Sequence, residues 1–421
     1  VCLNPGRAKI QKGWVGSSRK RELLKLTGSK NMATKKSSEI PPFIVMEVME
    51  KAATLEQRGE DIIHLEVGEP DFDTPECIKE AAIRAIREGK THYTHSLGLL
   101  PLREAIAEHY QEKYGVEVNP EQILVTSGTS PAMLLLFMSL LEPQDEVILP
   151  NPYYACYPNF VRMVDGKPLF VKVFEEEGFQ YRPEEIKPLL GPRTKAVLIN
   201  SPANPTGNLT PPDRMEAIAE FGRTVVSDEI YHGLVYEGKE HSILEFTRKA
   251  MVINGFSKLY AMTGWRLGYL IVPPEFVRPL QKMHQNFFIS ANAFVQWAGI
   301  AALKEAKADV ARMKDTYNTR RKYIIQKLRE LGFGITVEPT GAFYVLANAQ
   351  SYTRDSFAFA FDILKKARVG CTPGIDFGTN AEGYLRFSYA NSVENIEEAM
   401  KRLARYLRED WKPGAGKEES K

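Results

Sequence analysis

Lys258 ends the run Asn254-Gly255-Phe256-Ser257-Lys258, and Arg266 follows in Ala261-Met262-Thr263-Gly264-Trp265-Arg266-Leu267-Gly268-Tyr269. A lysine in an apolar, glycine-punctuated segment loses hydration, which favours its neutral form and draws its pKa below the usual value of about 10.4. A neutral amine condenses with a carbonyl. An always-charged arginine carries a planar fork of donors that matches a phosphate. Together the two residues suit a small molecule that is both an aldehyde and a phosphate ester.

Other residues extend this chemistry. Ser127-Gly128-Thr129-Ser130-Pro131 stands between a short apolar run and a helical one, so it offers either a simple helix cap or an anion site built from free backbone N–H groups. Asp228, in Ser227-Asp228-Glu229-Ile230-Tyr231, falls at the carboxyl end of a strand, where a buried carboxylate needs a cation unless it merely caps a turn. Glu229 follows directly and faces the other way. Arg386, in Tyr384-Leu385-Arg386-Phe387-Ser388, is flanked by apolar residues; its guanidinium calls for an anion, either a substrate carboxylate or a neighbouring acid. Asn204 lies in Asn200-Ser201-Pro202-Ala203-Asn204-Pro205-Thr206-Gly207, which as a bare pattern signals a tight loop.

With these residues in place, the chain from about Pro41 to Leu407 resembles the fold type I pyridoxal-phosphate aminotransferases of class I/II, and Ser257 to Tyr269 is similar to their cofactor-lysine signature. The resemblance implies that Lys258 holds pyridoxal 5′-phosphate, that Ser127, Gly128, Thr129, Ser257 and Arg266 cradle its phosphate, and that Asp228 pairs with its ring nitrogen. It assigns Tyr231 and Asn204 to the phenolic oxygen, and Tyr153, rather than Tyr154 one place along, to stacking on the ring. Arg386 becomes the anchor of the substrate α-carboxylate. Gly68, in Leu65-Glu66-Val67-Gly68-Glu69-Pro70-Asp71-Phe72, becomes a close backbone approach to that carboxylate, with Glu69 and Asp71 fixing the loop. Tyr93 would reach the phosphate of a second subunit, making a homodimer with composite sites; otherwise it is a surface turn tyrosine. Ser201-Pro202 or Asn204-Pro205 is expected to be cis. One departure is Gly255, where many relatives carry a hydroxyl, so phosphate binding leans on the other donors.

The elements that must position these groups alternate along the chain. Short apolar runs at Ile123–Thr126, Glu146–Leu149, Ala196–Ile199, Thr224–Ser227, Met251–Ile253 and Tyr269–Val272 read as strands of a mostly parallel sheet covered on both faces. Helices are expected over Ile78–Glu88, Leu102–Tyr114 and Ala132–Leu141, and ligands of such sheets gather at the carboxyl ends of strands. After about Ala308 the pattern changes to a long charged helix, Val310–Leu331, strands around Val337 and Phe343–Leu346, a helix near Phe357–Lys366 and strand Leu385–Ser388. The expected class is therefore α/β, the fold type I PLP-dependent transferase. Its large domain spans 76–308 and a smaller α+β domain spans 309–411, joined by an arm and part of the small domain at 32–75.

The 421 residues suffice for a large core, and a formal net charge of +2 gives no electrostatic case for nucleic acid. No apolar run approaches a membrane span, so nucleic acid and membrane are not expected partners. Cys2, Cys77, Cys156 and Cys371 are scattered, which suits reduced thiols in a cytoplasm. His92 and His95 lack a third ligand, and no metal is expected. Residues 1–31 form a basic segment read as a disordered tail: a transit segment, a nucleic-acid arm, or translated sequence ahead of a start at Met32, which is favoured. Residues 412–421 should be loose.

The expected activity is a ping-pong transamination in which Lys258 moves the α-proton and Arg386 orients an amino acid and then a 2-oxo acid such as 2-oxoglutarate. Aspartate or alanine lead the expected donors, although Ser130 and Pro131 stand where some relatives acting on acidic donors carry a basic residue; broad neutral or aromatic donors follow. A β-lyase on the same fold is the rival enzyme. An effector domain of a transcription regulator would need a DNA-binding module ahead of it, which the basic tail is too small to be.

Overall fold

A computed structural model describes residues 33–411. The expectations for residues 1–31, Cys2, the start at Met32 and the tail 412–421 lie outside the described residues. Of the described residues, 33–41 belong to a small unit of their own, whose helix Lys35–Glu39 begins where Thr34 Oγ1 accepts the Ser37 N–H. The remainder, from Pro42, is described below.

Seven strands form the main sheet: β2 (Ile123–Thr126), β3 (Glu146–Asn151), β4 (Lys167–Lys172), β5 (Thr194–Asn200), β6 (Thr224–Asp228), β7 (Ala250–Gly255) and β8 (Gly268–Ile271), in the order β2-β8-β7-β6-β5-β3-β4. Only β8 runs against its neighbours. Side chains alternate across these strands, and both faces are buried. Ile123, Val125, Val197, Ile199, Val225 and Val252 enter one apolar core, whereas Leu124, Ala196, Leu198, Val226, Met251 and Ile253 enter another. Such double burial explains why the strands are continuously apolar in sequence rather than alternating.

The sequence misses β4, whose Lys167, Phe170 and Lys172 are exposed and break the apolar run; this is an edge strand. Helix Glu76–Arg87 follows Pro75, and helix Leu100–Tyr114 ends on Gly115, whose φ of +69° is the left-handed conformation that closes a helix.

A second group of strands comprises β1 (Ile63–His64), β9 (Tyr344–Asn348), β10 (Val369–Gly370), β11 (Thr372–Pro373) and β12 (Tyr384–Ser388). β11, β12 and β9 form an antiparallel sheet, while β1 pairs in parallel with β10. Helices Lys307–Glu330, Ser356–Ala367 and Val393–Glu409 accompany them. No strand forms around Val337, contrary to the sequence reading; the chain there makes a single antiparallel bridge, Gly334 to Asn348, and then bends. Helix Ile44–Glu56 has no side-chain cap of its own, and the Asp376 carboxylate accepts the N–H groups of Ile44 and Val45 at 3.1 and 3.3 Å. That acid complements the positive end of the helix.

Candidate active site

The carboxyl ends of β5 and β6, the β7–β8 connection and strand β12 meet at one cavity of about 410 Å³ that contains Lys258, Asp228, Tyr231, Asn204, Ser257, Arg266, Thr129, Gly68 and Arg386. Lys258 and Arg266 both hang from the loop that joins β7 to β8. Gly255 pairs with Gly268, and the Phe256 N–H reaches the Leu267 carbonyl at 3.1 Å, so the loop is closed at its base.

Lys258 Nζ donates to the Gly68 carbonyl at 2.6 Å. Burial pushes its pKa down to about 8; the Glu69 carboxylate opposes this, and the positive charges of Arg386 and Arg266 add to it. The amine is thus far easier to deprotonate than a surface lysine.

Beside it, Gly128 precedes helix Thr129–Leu140 with φ +94°, a conformation that leaves the first backbone N–H groups of the helix free. Arg266 packs against this turn so closely that a Cβ on Gly128 would sit 2.4 Å from Nη2. Gly268 is needed for the same reason: its Cβ would lie 2.9 Å from the Thr129 nitrogen. Arg266 Nη1 donates to the Thr263 carbonyl at 3.0 Å. Ser127 and Gly128 border this anion-binding turn, while Thr129 and Ser130 line the cavity.

Asp228 closes β6 and is buried. Burial raises its pKa to about 6, although the Tyr157 hydroxyl at 2.7 Å and the Ile230 N–H at 3.2 Å both donate to the carboxylate. Among the described residues no ion pair reaches it, so the carboxylate faces the cavity in want of a cation. Glu229 points to the opposite face, where Tyr110, Ser227, Ser242 and the Ile243 N–H all donate to it.

Arg386 is only 2% exposed, and among the described residues no acid pairs with it. Nη1 donates to Asn204 Oδ1 at 2.9 Å, and Nη2 donates to the Glu66 carbonyl at 2.6 Å and Thr372 Oγ1 at 3.2 Å. The guanidinium lies between the rings of Tyr344 and Phe377, 4.4 and 4.8 Å from their centroids, and its buried Nε has no partner. An arginine with an unsatisfied buried donor and no counter-charge is built to receive an anion. Gly68 approaches so near that a Cβ would fall 2.1 Å from the Tyr344 hydroxyl, which is hydrogen-bonded to that of Tyr231 at 2.9 Å. Glu69 accepts from Thr263, and Asp71 accepts from Arg320 at 2.7 Å, so both do tie down this loop.

One expected position falls elsewhere. Tyr153 does not line the cavity; its ring stacks on Phe170 with 5.1 Å between centroids, and Tyr154 is the aromatic that faces Asp228 and Lys258. The two adjacent residues turn to different sides of the segment that follows β3. Tyr93 is 81% exposed and away from the cavity of its own chain. Both Ser201-Pro202 and Asn204-Pro205 are cis. The sequence reading missed Tyr157, Tyr344, Phe377 and the Glu66 carbonyl. Tyr344 was findable, because Leu346 pairs with Arg386 across β9 and β12 and Tyr344 stands two residues along on the same face.

A desolvated amine, an anion-binding helix start with an arginine against it, and a buried carboxylate lacking a cation fit pyridoxal 5′-phosphate, and they mark a pyridoxal-phosphate enzyme of α/β fold. The sequence profile described as aminotransferase class I and II matches residues 60–403, and the chain belongs to that family. It is a transaminase, its cofactor is pyridoxal 5′-phosphate, and its substrates are amino acids and 2-oxo acids. It is 41% identical over 380 residues to the (5-formylfuran-3-yl)methyl phosphate transaminase of Methanocaldococcus jannaschii, covering 89% of this chain and 100% of the relative. It is 40% identical to the aspartate aminotransferase of Pyrococcus horikoshii, with 86% and 94% covered. The crystal structure of Thermus thermophilus aspartate aminotransferase with maleate superposes with a TM-score of 0.85 at 38% identity, over 89% of this chain and 100% of that one.

Proposed function

We propose that this transaminase takes the amino group from an α-amino acid, aspartate or alanine first, and delivers it to 2-oxoglutarate or a similar 2-oxo acid. The observation that carries this reading is Arg386, buried without an acid in the same cavity as Lys258. Bound in this cavity, pyridoxal 5′-phosphate would supply an aldehyde carbon and an electron-accepting ring. Lys258 Nζ, freed from the Gly68 carbonyl, takes the α-proton and returns it, which its pKa near 8 allows at neutral pH. Asp228 would hold a negative charge against the ring nitrogen, and Tyr231 and Asn204 would orient the phenolic oxygen. Ser127, Gly128, Thr129, Ser257 and Arg266 would hold the phosphate. Tyr154 would take the stacking position first expected of Tyr153.

Phe43, Val45, Met46 and Met49 give the cavity an apolar wall, which favours bulky neutral and aromatic donors as the second reading. The working unit is a homodimer in which Tyr93 serves the neighbouring site, with the cofactor domain at 76–308 and the small domain at 309–411. Unpaired Cys77, Cys156 and Cys371 support a cytoplasmic location.

A panel of amino donors against 2-oxoglutarate, oxaloacetate and pyruvate tests this, with Lys258→Ala alongside. Turnover should require an amino acceptor and vanish in the variant. Release of 2-oxo acid without any acceptor would point to a β-lyase, and persistent transamination by Lys258→Ala would refute the mechanism.

A further inference from the structure

Glu66 is fully buried, and its side chain lies outside the chemistry described so far. Its backbone carbonyl receives both Arg386 Nη2 and Thr372 Oγ1. Its side chain turns the other way: Oε1 meets His64 Nδ1 at 2.7 Å, and His64 Nε2 meets Glu56 Oε1 at 3.2 Å. The carboxylate lies flush on β10, where a Cβ on Gly370 would fall 1.9 Å from Oε2. No residue larger than glycine fits at that position. The segment is also fixed along its backbone, because Leu65 bonds to Gly370 and Ser388, and the His64 carbonyl accepts from Asn391. Two residues on, the Gly68 carbonyl receives Lys258.

We propose that His64 and Glu66 are positioning residues for the substrate carboxylate. By anchoring the Glu66 side chain, His64 fixes the Glu66 carbonyl, which holds Nη2 and prevents the guanidinium from turning, so that its unpartnered Nε and remaining Nη1 hydrogen stay directed to the incoming anion. A buried carboxylate tolerates this place beside an imidazolium, and its hydrogen bond raises the pKa of His64 to about 9, against the desolvation of the ring. The inference rests on Arg386 being the carboxylate anchor.

The test uses holoenzyme with His64→Gln, and Glu66→Gln as the second variant, compared with Arg386→Lys. Since donor and acceptor share one anchor, KM for the amino acid and KM for the 2-oxo acid should rise together by about tenfold in His64→Gln, the scale of one loosened hydrogen bond to a charged group. The dissociation constant of maleate should rise with them while kcat stays within about twofold, a split that a general loss of folding does not produce. Unchanged KM and maleate affinity in both folded glutamine variants would overturn the inference, as would a fall in kcat with KM constant. If Arg386→Lys binds maleate as tightly as wild type, the anchor reading fails and the inference fails with it; loss of binding in Arg386→Lys alone leaves the anchor standing and refutes only the positioning.

Discussion

Replacing Asp228 by Asn should stabilise the apoprotein while disabling the enzyme. The carboxylate is buried with no ion pair, and its pKa rises from 3.8 to about 6. At 1.36 kcal/mol per unit that rise of about two units amounts to ~3 kcal/mol spent on ionising it in the fold at neutral pH. Its sign is fixed by linkage: between 3.8 and about 6 the folded chain binds more protons here than the unfolded chain, so this group makes stability fall as pH rises through that window and level off above it. Asparagine keeps the shape and can still accept from Ile230 and pair with Tyr157. Thermal melts of apo wild type and Asp228→Asn at about pH 7.5 should therefore differ by a few degrees in favour of the variant, the gap narrowing towards about pH 4.5. Adding pyridoxal 5′-phosphate gives the wild-type carboxylate its cation, so the gap should close, and kcat/KM of the variant should be lower by on the order of 10²-fold or more. An apo variant that melts at or below wild type near pH 7.5, or a gap independent of pH, would refute the argument.

Tyr154→Ala should weaken pyridoxal 5′-phosphate binding to the apoprotein by about three- to tenfold, the range of one aromatic contact, whereas Tyr153→Ala, which only leaves Phe170 without its neighbour, should change it less than twofold; equilibrium titration by absorbance separates them. Gly68→Ala would place a Cβ 2.1 Å from the Tyr344 hydroxyl, so it should break the Tyr231–Tyr344 bond, lower stability by about 1–3 kcal/mol in denaturant melts and raise KM.

Legibility in the sequence followed physical cause. Strands buried on both faces announced themselves as short apolar runs, and Ile123–Thr126 was bounded correctly because the glycine turn after it is unmistakable. β4 was not legible, since an edge strand with exposed lysines carries no such run. Lys258, Asp228 and Asn204 stand in one cavity because each sits at or just after a strand end, which can be read, whereas Arg386 in the middle of β12 was legible as a charge flanked by apolar residues. Tyr153 against Tyr154 turned on which way a single residue faces in the segment after β3, which spacing does not encode. Tyr157 and Phe377 were hidden because their contacts span 71 and 9 positions and depend on packing of elements whose arrangement no local pattern specifies.

The lone reversed strand, β8, has a consequence for how such a catalyst can diversify. Because β7 and β8 are clamped together at Gly255 and Gly268, the reactive amine and the phosphate-binding arginine behave as a single prefabricated cassette. Lengthening that connection by even one residue would throw the pair out of step, whereas Phe43, Met46 and Met49 of the hydrophobic lining belong to a different part of the chain and are not buried in its core, so they can change with less penalty. New amino-acid preferences can therefore arise without any renegotiation of the reaction itself.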